Sequence, residues 1–174
     1  MGACEAKDLE TVCAWAREHY GEDALLGTLG ESMGAATVML HAKEDARLAF
    51  AVEDCGFSDL KREIALVMIN RFHAPPFPVL PLASLFCRLR GGVFLGSVCP
   101  ANALKDCAHV PMLFIHGDAD ELIPYAMMQE CFDAKAGEKE RWLVPGARHA
   151  DCFRADQEGY RTHLSTFLQA HRII

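Results

Sequence analysis

The chain has 174 residues, 51% of them hydrophobic and 24% charged, with a formal net charge of −7. That length suits one domain with a sizeable core, and the composition excludes a disordered chain. The acidic balance disfavours nucleic acid or an anionic membrane surface as the main partner, because both attract basic patches.

Eight cysteines are scattered through apolar segments, with no C-x-x-C pair and no zinc-finger spacing to the histidines. They read as buried free thiols in a reducing compartment. The stretch 1–20 is polar and helix-like, unlike a signal peptide, and no apolar run reaches the roughly 20 residues a spanning helix needs. Cytoplasm is the default location these features give.

Taken in order, 8–20 carries Leu9, Val12, Cys13 and Ala16 at helical spacing, with Asp8 as N-cap and Gly21 as the stop. The apolar run 24–29 predicts a strand. Gly30-Glu31-Ser32-Met33-Gly34 follows it and opens a helical pattern over 35–41. A second strand is expected over 47–52, leading into a loop from Glu53 to Phe57, and a helix from Ser58 or Asp59 to about Asn70. The segment 71–96 begins proline-rich and apolar, includes a helical pattern over 82–89, and reads either as a cap or lid or as a connecting helix packed on the body. Strands are expected over 111–116 and 140–144. Helices are expected over 124–134, with Pro124 in the first turn, and over 160–171.

Short apolar strands alternating with helices predict an α/β fold: a three-layer sandwich whose mostly parallel sheet of about four strands has helices on both faces. No repeat or second domain is visible, so residues 1–174 read as one domain.

Strand, sharp turn and helix with G-x-S-x-G at the turn is the sequence form of a nucleophile elbow. Gly30 and Gly34 would let strand and helix pass closely. Ser32 would sit at the tip, with the Met33 N–H at the helix N-terminus aimed at a developing oxyanion. Asp120 follows the third strand and His149 the fourth. In a parallel sheet these strand ends share one edge. A serine hydroxyl needs an imidazole to take its proton, and the imidazole needs a carboxylate to hold it. Other acids remain open: Asp118, and Glu53 or Asp54 after the second strand; Asp151 is too close to His149 in sequence to be a convincing orienter.

Gly30-Glu31-Ser32-Met33-Gly34, the run His116-Gly117-Asp118-Ala119-Asp120-Glu121-Leu122-Ile123-Pro124, and Gly146-Ala147-Arg148-His149 together resemble the α/β-hydrolase family of small serine esterases and acyl hydrolases. The likeness runs from Asp8 to the end. In that family the second segment usually reads H-G-x-x-D-x-x-V-P, which maps its acid to Asp120 and puts Ile123 in the valine position. The histidine maps to His149. The resemblance implies a serine hydrolase acting on a carboxylic ester or thioester, with no metal or organic cofactor. Phe77, Leu80 and Phe86, in the lid segment, become candidate contacts for an acyl or aromatic group. His73 and His109 are further candidates for substrate contact, while His116 and the set Met127, Met128 and Phe132 read as structural. Two other readings are a serine peptidase of the same fold and a catalytically impaired hydrolase-fold module used in assembly or binding.

The chain departs from the family before the elbow. Several strands normally precede it, and one carries an H-G-type loop that supplies a second oxyanion N–H. No such loop lies upstream of Ser32. The elbow strand would then have a bare edge, and bare edges invite pairing. The expectation is a homodimer through that edge, or a chain that is part of a longer one.

Overall fold

Strand β3 (Met112–Gly117) is buried at every position and occupies the interior of the sheet. Its side chains alternate between two cores, as the two-residue strand period requires. Met112 and Phe114 face one cluster with Met39, Leu104 and Met128. Leu113 and Ile115 face another with Val144, Tyr160 and Phe167. The computed structural model describes residues 2–174. Around β3 it places β1 (Gly27–Glu31), β2 (Phe50–Asp54) and β4 (Lys139–Val144) in the order β1-β2-β3-β4. All three pairings are parallel.

One face carries α1 (Ala3–Tyr20), α2 (Met33–Glu44), the short α5 (Pro100–Leu104) and α6 (Tyr125–Ala134), which share the Met39 cluster. The other carries α7 (Cys152–Ala155) and α8 (Gln157–Ala170). Helix α3 (Leu60–Phe72) starts at Asp59, whose side chain caps the Arg62 N–H at 2.8 Å. Helix α4 (Val79–Gly91) lies beside α3 within the segment 71–96, and on it only Leu80 is buried. This is the expected four-stranded α/β sandwich, with helices on both faces of a parallel sheet.

Several boundaries differ from expectation. Helix α1 begins at Ala3, so Asp8 is an interior residue and not a cap. Strand β1 is displaced toward the elbow, and β2 runs on through Glu53 and Asp54, which the sequence left in a loop. Both acids are buried there, and polar residues mask a strand from a hydrophobicity pattern. The short α5 and α7 had no periodic signature of their own. Strand β1 forms one edge of the sheet, and Leu29 on it is exposed. Among the described residues no single helix is long and apolar enough to cross a membrane.

Candidate active site

The elbow is built by one close approach. A Cβ on Gly30 would lie 2.2 Å from the Gly34 carbonyl oxygen, so only glycine lets β1 run into α2 at this angle. Gly34 differs from expectation, because a Cβ there would meet nothing within 4 Å. Ser32, between them, has φ 55° and ψ −115°. That strained left-handed backbone costs on the order of 1–3 kcal/mol and turns the side chain out of the strand line. The Ser32 N–H donates to the Asp54 carbonyl at 2.8 Å, which ties the elbow to the end of β2. Met33 is the first residue of α2, where a backbone N–H has no acceptor inside the helix.

Asp120 and His149 are brought together by two loops that are fastened to each other. A Cβ on Gly117 would fall 2.1 Å from the Ala147 carbonyl oxygen, so the bare glycine permits the contact. The Ala119 N–H donates to that carbonyl at 3.0 Å, and the Gly146 N–H donates to Asp118 Oδ1 at 2.6 Å. His149 Nδ1 then stands 2.8 Å from Asp120 Oδ2, and His149 Nε2 stands 2.8 Å from Ser32 Oγ.

The acids weighed from the sequence separate here. Asp118 holds the loop, Asp54 Oδ1 accepts from the Cys55 thiol at 3.1 Å, and Asp151 pairs with Arg154 at 2.6 Å. Glu53 Oε2 accepts the Gly56 N–H at 2.9 Å. Asp120 is the carboxylate on His149. Its Oδ1 accepts the Leu122 and Ile123 N–H groups, both at 2.9 Å. Burial works against its charge. Hydrogen bonds from His116, His149 and the Ile123 amide outweigh that and hold the carboxyl well below its ordinary range. An ionised Asp120 keeps the proton of His149 on Nδ1 and leaves Nε2 free to accept from the Ser32 hydroxyl.

His116 is fully buried and its Nε2 donates to the Ile123 carbonyl at 2.9 Å, which braces the turn that presents Asp120. His109 bonds the Ala42 carbonyl at 2.9 Å, and His73 caps the end of α3. Met127 and Met128 are core residues.

Beside His149 lies a cleft of about 800 Å³, walled by Leu66, Val67, Asn70 and Arg71 of α3 and by the loops at Leu122 and Arg148. Phe77 and Leu80 line a different groove, between α3 and α4, and Phe86 is exposed on α4. None of the three is among the residues lining the cleft. Glu63, on the first turn of α3, was not singled out by the sequence. It is buried, one of its carboxylate oxygens has no hydrogen-bond partner, and burial together with the charge of Asp120 pushes it up to about 7. Helical spacing gave no hint of it, because the face α3 turns to the site is set by tertiary packing.

Among the described residues, three buried groups offer metal-type ligand atoms within 4.8 Å: Cys13 with His41 and Asp45, Asp54 with Cys55 and Cys152, and Cys55 with His116 and Asp120. Each is already engaged by hydrogen bonds inside the chain, with Asp45 on Arg17 and Asp120 on His149.

No protein-family model matches the chain. It is 31% identical over 169 residues to the uncharacterized protein YqkD of Bacillus subtilis, covering 96% of this chain and 55% of that protein. The esterase Pf2001 of Pyrococcus furiosus superposes with a TM-score of 0.75 at 22% identity, over 97% of this chain and 63% of that one. The α/β hydrolase GrgF of Penicillium gives 0.68 at 17% identity, over 97% and 72%. The fold is the α/β-hydrolase fold. The chain spans about half the length of YqkD and under two thirds of the Pf2001 esterase. These α/β-hydrolase neighbours include enzymes named as esterases, whereas the sequence relative YqkD names no activity.

Proposed function

We propose that this chain is a serine hydrolase that cleaves carboxylic esters or thioesters through an acyl-enzyme. The observation that carries the reading is the unbroken line from Ser32 Oγ through His149 to Asp120, with 2.8 Å at both joints. His149 takes the Ser32 proton as Oγ attacks the carbonyl carbon. The oxyanion that forms is stabilised by the Met33 N–H at the start of α2. The protonated imidazole then gives its proton to the leaving alcohol or thiol, and the acyl group stays on Ser32. Water enters, His149 takes its proton, and the ester bond to Ser32 breaks with the proton returned to Oγ. Asp120 stays ionised and stabilises the imidazolium at each stage.

Hydrolysis of short-chain p-nitrophenyl esters by the chain and by Ser32→Ala tests this. The reading expects the variant to lose essentially all turnover. Equal rates would remove Ser32 from the mechanism.

A further inference from the structure

Half of the large hydrophobic side chains exposed among the described residues fall between Ile69 and Phe94. On α4 the exposure reaches 62% at Leu82, 61% at Phe86 and 75% at Leu89. An amphipathic helix normally turns such a stripe toward a core. Here the stripe faces outward, and a contiguous apolar patch of this kind marks an interaction surface.

Charge says which kind. The chain holds 24 acidic residues, yet none lies between Ile64 and Lys105. The charged residues of that stretch are Arg71, Arg88, Arg90 and Lys105. Arg88 and Arg90 lie on α4 and Arg71 on the last turn of α3, so an acidic protein carries a basic, apolar surface there, which the net charge of the whole chain conceals. The arginines are interleaved with the rings: the Arg88 guanidinium lies 5.6 Å from the Phe94 ring centre and that of Arg90 lies 5.7 Å from Phe86. Rings that enter the acyl boundary beside guanidiniums that stay at phosphate level are the arrangement an anionic lipid surface accepts. Helix α4 has 13 residues, about 20 Å, too short to span a bilayer core of about 30 Å, so it would lie on the surface.

The patch reaches the cleft. Ile69 and Phe72 are exposed on the last turn of α3, and they flank Asn70 and Arg71, which line the cleft beside His149. We propose that α4 and the end of α3 dock this protein on an anionic lipid surface, where the cleft meets acyl esters or thioesters anchored in the bilayer. The docking stands on the patch alone, and the substrate class rests on the hydrolase reading above.

Co-sedimentation with vesicles of phosphatidylcholine, and of phosphatidylcholine mixed with phosphatidylserine, separates the two. The chain and its Ser32→Ala variant should bind the mixed vesicles equally, and more weakly as salt rises. Leu82→Glu/Phe86→Glu and Arg88→Gln/Arg90→Gln should each bind about tenfold more weakly or worse, with unchanged circular dichroism, because these side chains are exposed. No binding to mixed vesicles, or equal binding by both double variants, overturns the docking. Dissociation of an oligomer by Leu82→Glu/Phe86→Glu, with vesicle binding intact, would assign the patch to a second copy of the chain and also overturn it. For the substrate class, both variants should keep the soluble p-nitrophenyl ester rate and lose hydrolysis of a vesicle-borne acyl ester. Equal loss of both rates would contradict that part. Failure of the chain itself on soluble esters would count against the hydrolase reading while leaving the docking result standing.

Discussion

His149 Nδ1 stands 2.8 Å from Asp120 Oδ2, and the same carboxylate accepts two backbone N–H groups on its other oxygen. The acid is therefore fixed before the imidazole meets it. Asp120→Asn should lower kcat by about 1,000- to 10,000-fold, because an amide no longer dictates the tautomer that leaves Nε2 free. KM should change little, since Asp120 faces the imidazole and not the cleft. Steady-state kinetics on a soluble ester measure both, and a kcat within tenfold of the parent would contradict the assignment.

The two glycines of the elbow should behave oppositely. Gly30→Ala drives a methyl to within 2.2 Å of the Gly34 backbone carbonyl, which cannot step aside. It should cost about 3 kcal/mol or more and lower the melting temperature by about 10 °C. Gly34→Ala meets nothing within 4 Å and sits in the first turn of α2. It should be neutral or stabilise by up to about 1 kcal/mol. Thermal unfolding of the two variants side by side checks the pair.

Glu53 makes stability depend on pH. Burial pushes its carboxyl from 4.5 up to about 8, against the pull of His116 and of the Gly56 N–H. Between those values the folded chain keeps a proton that the unfolded chain has released. Stability should therefore fall as pH rises from about 4.5 to 8, by up to about 1.4 kcal/mol per pH unit from this group. Glu53→Gln keeps an acceptor for Gly56 and carries no charge, so urea midpoints should fall less steeply across that window than in the parent. The difference should be clearest between about pH 7 and 8, above the range in which Glu63 contributes a fall of its own.

Arg17 fastens α1 to the end of α2 through Asp45, at 2.8 Å, with both side chains almost wholly buried. Without Arg17, Asp45 keeps the Arg47 N–H and Nε on Oδ1 but loses the hydrogen bond on its buried Oδ2. Arg17→Met should destabilise by about 1–3 kcal/mol in urea unfolding.

How much of this was legible can be read from particular residues. The elbow, the His116–Pro124 run and the loop before His149 are local chemistry, with glycines and a fixed spacing, so the alternation of strands and helices could be read directly, and the same local patterns put Ser32, Asp120 and His149 forward as candidates. Residues that act through packing could not. Glu53 and Asp54 look like a polar loop until β2 is seen to run through them into the core. Glu63 is an ordinary first-turn acid until α3 is laid against the site. Phe77, Leu80 and Phe86 are apolar in a lid-like segment. Nothing in that pattern tells that α3 lines the cleft while Phe77 and Leu80 line a different groove.

The central claim is that Ser32 is a nucleophile activated by His149. Labelling with a fluorophosphonate probe, followed by mass mapping of the modified residue, tests it most directly. The account predicts one probe per chain, on Ser32, with labelling lost in Ser32→Ala and strongly slowed in His149→Ala. A chain that stays unlabelled, or one labelled elsewhere at the same rate in all three proteins, would contradict it.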